Sequence, residues 1–264
     1  MNIAVCVKQV PATDARIELN PLRNDINRVD ISYLMNPYDE FGVEEGLRIK
    51  EQFKEGVVTV LTVAPEMGIE VLRTALALGA DQAIHMKHPA FADGDNYTTA
   101  VALTAALSKG NYDIIFFGKH AIDDDSGAVG IYVAEWMGIP HVAMVNHLTI
   151  DPDKKKAVAH RQIEGGIEVV ETSLPAIFTC QKGLNEPRYA TLQGIMKAKT
   201  KPITVFTPAD LGLAEDRVGK MGAKIVIEQL APPKAKEKGK ILEGAPDTVA
   251  AELVRLLHEE AKVI

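Results

Sequence analysis

Two cysteines, Cys6 and Cys180, are all that the 264 residues contain, and each sits in an apolar, strand-like run. Thiols so placed argue against a disulfide framework or a cysteine-built metal site and read as reduced, packed side chains. Positive charge is scarce as well. A formal net charge of -7 argues against general nucleic-acid binding, because no basic face could dominate such a chain. No apolar run approaches the ~20 residues of a bilayer span, so no membrane insertion is expected. Neither a Gly-x-Gly-x-x-Gly fingerprint nor a Gly-x-x-x-x-Gly-Lys-Ser/Thr loop occurs, which removes the standard dinucleotide and P-loop signatures. The seven histidines show no ligand spacing and no serine or cysteine has a nucleophile-elbow context, so neither a metal nor a catalytic set is expected. A binding or carrier role needs neither.

What the chain does have is alternation. The length fits about one or two domains. Ile3–Val7, Val57–Val63, Asp81–Met86, Ile114–Phe117 and His141–Val145 read as strands buried on both faces, the first with no leader ahead of it. Helical spacing separates them over about 37–54, Ile69–Leu78, Asn96–Leu107 and Ala128–Met137. In the last of these Val129, Val133, Trp136 and Met137 share a face. This order predicts an open, doubly wound, mostly parallel sheet. Phe41, Leu47 and Phe53 are expected to face it from the first helix. The polar stretch Lys8–Asn36 is long for a connection, and Arg16–Leu19 with Arg28–Ile31 are the expected arms of a small hairpin. Leu148–Ile150, Ala157–Gln162 and Ile167–Thr172 alternate at period two and predict an appended antiparallel meander. A short helical piece, Ile195–Lys199, precedes Pro202. From Ala231, two prolines and a Lys/Gly run read as an extended linker. It leads to a helix over about Thr248–Lys262 whose stripe of Val249, Leu253, Leu256 and Leu257 suits packing on the chain itself or on a partner.

The stretch Asp113–Gly130 organises the rest: a buried strand, the polar loop Gly118-Lys-His-Ala-Ile-Asp-Asp-Asp-Ser-Gly, then a helix entrance. Such a loop is either a capped strand-to-helix connection or a phosphate site built from amides and the Ser126 hydroxyl, with Gly127 and Gly130 allowing close approach. Asp123, Asp124 and Asp125 repel an anion, so they fit a phosphate site only if they cap or turn away. Three consecutive carboxylates do not converge on one metal ion.

A set of ordered motifs carries a resemblance over essentially the whole length. They are Val7-Lys-Gln-Val10, Asn36-Pro-Tyr-Asp-Glu40 with Val43-Glu-Glu45, and Arg73-Thr-Ala-Leu-Ala77 followed by Gly79-Ala-Asp81. Gly118-Lys-His-Ala-Ile-Asp-Asp-Asp125 and Leu184-Asn-Glu-Pro-Arg-Tyr-Ala-Thr-Leu with Ile195-Met-Lys-Ala-Lys199 complete them. The chain resembles the beta subunit of electron transfer flavoprotein. The resemblance implies a cytoplasmic heterodimer with an alpha subunit that holds most of a redox-active FAD. It implies no enzyme but a carrier of electrons from flavin dehydrogenases, such as acyl-CoA dehydrogenases, toward a quinone reductase and the quinone pool.

It also implies a buried AMP. Carried over by motif, that site draws on Cys6 in the first strand and on Asn36, Pro37, Tyr38 and Asp39 at the helix start. Val63 follows the second strand, and the loop supplies Gly118, Lys119, His120, Ala121, Ile122, Asp123, Asp124, Asp125, Ser126, Gly127, Ala128 and Val129. Partner docking falls to Leu184, Asn185, Glu186, Pro187, Arg188, Tyr189, Leu192, Ile195, Met196, Lys197 and Lys199, with Leu192 as the anchor. Val10–Thr13 is expected beside the flavin. The implied division is a nucleotide domain over 1–205 and an arm over 206–264 docking on the alpha subunit. Where ordinary members carry Asn-Gln-Thr, this chain has Ser126-Gly-Ala-Val129, and the ending Ala-Val-Gly is closer to members that hold a second FAD and split electron pairs from NADH. AMP in a carrier and a second FAD in a bifurcating complex therefore both stand. A stand-alone nucleotide-binding stress-type domain is the third reading.

Overall fold

Ile3, Val5 and Val7 point to one side of the first strand, Ala4 and Cys6 to the other, and both sides are buried. A strand apolar at every position needs cover on both faces, and helices supply it. The computed structural model describes residues 1–153, 155–234 and 239–264. In chain order it contains β1 (Asn2–Cys6), β2 (Gln9–Pro11), β3 (Tyr33–Met35), α1 (Pro37–Phe53), β4 (Val57–Val63), α2 (Ile69–Leu78), β5 (Gln82–Met86), α3 (Asn96–Leu107), β6 (Ile114–Gly118) and α4 (Val129–Met137). Then follow β7 (His141–Asp151), β8 (Lys156–Ile163), β9 (Gly166–Ser173), β10 (Ala176–Cys180), α5 (Leu192–Thr200), β11 (Ile203–Phe206), the single turn α6 (Gly219–Gly222) and α7 (Pro246–Glu259).

The nine-stranded sheet has the order β11-β5-β4-β1-β6-β10-β7-β8-β9. Pairing is parallel from β11 to β7 and antiparallel through β8 and β9. The fold is thus the expected α/β sheet with its meander. Helices α1, α2 and α5 cover the face of Ile3, Val5 and Phe116, while α3 and α4 cover the face of Ala4, Cys6 and Phe117. Cys6 and Cys180 are free, buried and on opposite faces. Among the described residues no helix is long and apolar enough to cross a membrane.

Several local expectations are corrected. The hairpin is made by β2 and β3, not by Arg16–Leu19 and Arg28–Ile31; Leu19 instead forms an isolated bridge with Ile26, which lies before the second expected arm. Val10 and Met35 are buried there, whereas Arg16, Glu18 and Val29 are exposed, so burial selects the pair. Leu148–Ile150 is no separate strand but the second half of β7, which passes from parallel to antiparallel pairing through an irregularity at Val145–His147. Trp136 is exposed, and α4 packs through Gly130, Val133 and Ala134 instead. In α1 Leu47 is buried, and Phe41 and Phe53, partly buried, pack against the same core as expected. Strand β11 was not expected. It runs to Phe206, and Leu211 and Val218 beyond it join the core against α3, so packing continues past residue 205. Part of the Lys/Gly run lies outside the described residues, and α7 has no buried residue.

Helix α1 sits unusually close to the sheet. A Cβ on Gly42 would meet Phe116 Cβ at 3.1 Å and Val5 Cγ1 at 3.3 Å. Gly42→Val will therefore lower the urea midpoint, by about 2 kcal/mol of stability. Gly46→Ala, whose Cβ would meet Ile3 Cγ2 at 3.3 Å, will cost less, because a helix-propensity gain of about 1 kcal/mol opposes the squeeze.

Candidate functional site

Strand order reverses at β1: β4 and β5 continue on one side, β6 starts the other. In an open parallel sheet, the crevice beyond the carboxyl ends of two such strands is where ligands sit. A cleft of about 160 Å³ opens there, lined by the end of β1, the start of α1, Val63, the loop after β6 and the α3 residues Asn96, Thr99 and Leu103.

The floor of the cleft is a knot around Asp39, which is 5% exposed. Its carboxylate accepts the amides of Lys8 at 2.7 Å and Gly118 at 3.0 Å, so it joins the ends of β1 and β6. Asn36 Nδ2 donates to Asp39 Oδ1 and to His120 O, both at 2.9 Å, and Asn36 Oδ1 accepts the Ile122 amide at 3.2 Å. Asn36 makes no capping bond to α1; it stitches the helix to the loop. A Cβ on Gly118 would lie 2.4 Å from Asp39 Oδ1, so only glycine fits. Burial pushes the Asp39 carboxyl up to about 7 despite the three donated bonds. Burial also raises the Cys6 thiol, with the Asp39 charge adding to it.

Of the three aspartates, Asp124 lines the cleft and Asp123 and Asp125 do not. Lys8 Nζ binds Asp123 at 2.7 Å and Asp124 at 3.2 Å. Asp124 Oδ1 accepts the Ser126 amide at 3.1 Å, and Asp125 turns outward, with φ +52° and His120 Nε2 at 3.3 Å. Gly127 takes φ +62°, where a Cβ would also meet Lys119 O at 2.9 Å. No side chain caps α4, so its first-turn amides face the cleft side unscreened. Asn96 Nδ2 donates to Ser126 Oγ at 2.6 Å.

Of the residues expected here, Cys6, Asn36, Asp39, Val63, Gly118, His120, Ala121, Asp124, Ser126, Gly127, Ala128 and Val129 line the cleft. Pro37 opens α1 behind it. Tyr38 and Lys119 form an outer wall: Lys119 Nζ lies 4.7 Å from the Tyr38 ring centroid, and Tyr38 meets His120 edge-on. Ile122, Asp123 and Asp125 brace the loop without lining the cleft. Sequence reasoning missed Lys8, Phe117 and the α3 residues. Lys8 sits inside the quoted motif after the first strand; the α3 residues left no signal, because only the fold brings that helix here. Among the described residues no cluster of three or more ligating side chains forms a metal site.

The second expected surface splits in two. Leu184 packs against the core and Asn185 is buried, donating to Phe41 O at 3.0 Å and Glu45 Oε2 at 2.8 Å. Arg188 is turned inward onto Glu44 and Glu51. Glu186 and Pro187 lead out of this anchor. Tyr189 is 95%, Leu192 76%, Ile195 43% and Met196 64% exposed, with Lys197 and Lys199 beside them on α5. Burial of Glu45 raises its carboxyl, whereas Arg188 holds Glu51 low.

Asp39 gives this site a pH signature. Its carboxyl is raised in the folded chain from 3.8 to about 7, so the folded state keeps a proton that the unfolded chain has released. The associated stability is complete below pH ~4 and is lost as pH rises through about 7. Asp39→Asn will flatten the urea midpoint against pH over that window. It will also lower stability at every pH, since its amide NH2 faces the backbone donors.

A family profile described as "Electron transfer flavoprotein domain" matches residues 25–211. The chain is 40% identical over 268 residues to "Electron transfer flavoprotein subunit beta" of Bacillus subtilis, covering 100% of both chains. It is 36% identical over 262 residues to "Caffeyl-CoA reductase-Etf complex subunit CarD" of Acetobacterium woodii, covering 98% of this chain and 99% of the relative. To "Protein FixA" of Azotobacter vinelandii it is 35% identical over 244 residues, 90% of this chain and 86% of the relative. A full-length match of this extent leads to one assignment: the chain belongs to the electron transfer flavoprotein beta-subunit family.

Proposed function

We propose that this chain is the beta subunit of a heterodimeric electron carrier, with AMP in the cleft between β1 and β6. An alpha subunit holds most of one FAD, which supplies the redox chemistry when bound. The cleft carries the reading: it offers backbone amides and a hydroxyl, Lys8 pairs with Asp123 and Asp124, and Asp39, also in its lining, is bonded to the Lys8 and Gly118 amides. Ser126 and the α4 amides would hold the phosphate, and Cys6, Val63 and Leu103 would pack the rest.

Exposed apolar side chains mark where partners belong. Tyr189, Leu192 and Met196 form the surface for flavin dehydrogenases, ringed by Lys197 and Lys199. Beyond α6, Ile225, Val226 and Ile227 are 66%, 81% and 59% exposed, and α7 leaves Leu253 and Val254 uncovered. Such a run in water suits burial on another chain, here the alpha subunit. Pro11, Ala12 and Thr13 reach the surface and can border the flavin; Val10 is fully buried.

A second reading is kept because Ala128 and Val129 bring no polar side chain to the cleft, and because one relative is named as part of a caffeyl-CoA reductase complex. In that reading the cleft takes a second FAD and the complex oxidises NADH. Denaturing the purified heterodimer and identifying its nucleotides by mass decides the matter. One FAD and one AMP are expected; two FAD with flavin reduction by NADH would replace the carrier reading.

Two further outcomes are expected. Leu192→Ala will raise the KM for a partner dehydrogenase about tenfold, an anchor-sized loss, with nucleotide content unchanged. Deleting 232–264 will weaken heterodimer assembly, measured by sedimentation; unchanged assembly would remove the arm from the interface.

A further inference from the structure

Helix α1 touches both expected sites. Its first turn is tied into the cleft, where Asn36 binds His120 O and the Ile122 amide and Asp39 binds the amides of Lys8 and Gly118. Its next turns hold the docking segment. Glu44, 5% exposed, accepts Arg188 Nε at 2.7 Å, Nη2 at 3.2 Å and the Arg188 amide at 3.3 Å. Glu51 accepts the outer edge of the same guanidinium at 2.5 and 3.0 Å. Glu45, 8% exposed, accepts Asn185 Nδ2 at 2.8 Å.

These bonds are not optional contacts. Burying a carboxylate is costly unless it is paired; Glu44 is paired with Arg48 Nε at 3.1 Å as well as with Arg188, so two guanidiniums hold it and the loop is tied to wherever α1 sets Glu44. A guanidinium that engages two carboxylates fixes direction as well as distance. Tyr189 follows Arg188 directly, and Leu192 begins α5 three residues later. The helix between the two sites is clamped to the sheet through Gly42 and Gly46, so it moves as a rod or not at all. The cleft loop, in contrast, reaches α1 through the Asn36 side chain, Asp39 and the Tyr38 ring, against which Lys119 and His120 pack.

We propose that occupancy of the cleft sets the geometry of the docking surface through α1, with Arg188 as the positioning residue at the far end. This rests on the reading of the two sites given above. A nucleotide that orders the loop after β6 fixes His120 O and the Ile122 amide, these hold Asn36, and α1 presents Glu44 and Glu51 to Arg188 in the docking-ready arrangement. An empty cleft releases the first link, and the surface of Tyr189 and Leu192 loses its preset orientation while staying folded.

The test uses the purified heterodimer in loaded form, emptied of cleft nucleotide, and refilled with AMP or FAD separately. Emptying is expected to raise the KM for a dehydrogenase about tenfold with kcat unchanged, a normal size for coupling between sites, and refilling to restore it. Arg188→Lys, which keeps the charge and loses the fork, is expected to raise KM by a similar factor with its nucleotide retained. Emptying the Arg188→Lys protein should add little, because both changes break one linkage. Additive effects, or a KM indifferent to occupancy, would overturn the proposal. Hydrogen exchange at 185–191 reads the coupling with no dehydrogenase present: faster exchange in the emptied protein is expected, and equal exchange refutes it even if the docking role stands. Loss of dehydrogenase turnover in the loaded wild type, with occupancy-dependent exchange preserved, would instead reject the carrier reading alone. If the emptied protein unfolds, Asn36→Ser in the loaded heterodimer replaces it and must accelerate the same exchange.

Discussion

Asp39 is the constraint on which the rest depends. One buried carboxylate gathers the amides that follow β1 and end β6, the two strands whose divergence makes the crevice. Parallel neighbours that part company leave backbone donors without a ladder partner, and a buried donor left unpaired costs about 1–3 kcal/mol. Asp39 satisfies two such donors at once and places the first turn of α1 over the split. The cost is a carboxyl held near neutrality by burial, at about 7. Two glycines follow from it: Gly118, because Asp39 Oδ1 occupies the space of its Cβ, and Gly42, because α1 must lie close enough to the sheet for Asp39 to reach.

The charge pattern around the crevice has the same origin. A chain of net charge -7 that is to hold a phosphate must remove its own carboxylates from the path. Lys8, delivered by the same backbone that Asp39 grips, neutralises Asp123 and Asp124, and the left-handed conformation of Asp125 turns the third outward. What remains toward the cleft is the uncapped start of α4, where the helix dipole and free amides favour an anion. The acidic run is thus compatible with an anion only because of contacts made by residues more than a hundred positions away.

That distance separates what the sequence displayed from what it hid. Helices α2 and α3 match their expected limits, because Gly79 and the Asp95–Thr98 capping box are local signals. Strands β1, β4 and β6 were readable as continuous apolar runs; Cys6 and the loop after β6 lie at the ends of two of them, and Asn36 and Asp39, at the start of α1, are tied there by the amides of Ile122, Lys8 and Gly118. The hairpin arms were misplaced, since Arg16–Leu19 alternates locally but only burial of Val10 and Met35 decides which segments pair. Strand β11 has four residues with two exposed, too short a pattern to stand out. The inward turn of Arg188 was invisible for another reason: a basic residue in a polar loop reads as solvent-facing until the buried Glu44 on a distant helix is known.

Arg188 also explains why the apolar side chains that follow it stay exposed. Tyr189, Leu192 and Met196 cannot bury themselves, because the segment before them is fixed on α1 and α5 is fixed on α2. There the Arg73 guanidinium bonds the carbonyls of Ala198 and Lys201, and Gly194 packs against Ala77 O. The side chains are therefore held outward on a rigid base. Holding them so removes part of the ordering cost of association, while the small apolar area keeps the complex weak enough to separate quickly. Rapid release with retained selectivity is what the proposed electron carrier would require, and the buried Glu44 and Glu45 with Arg188 would supply its rigid base.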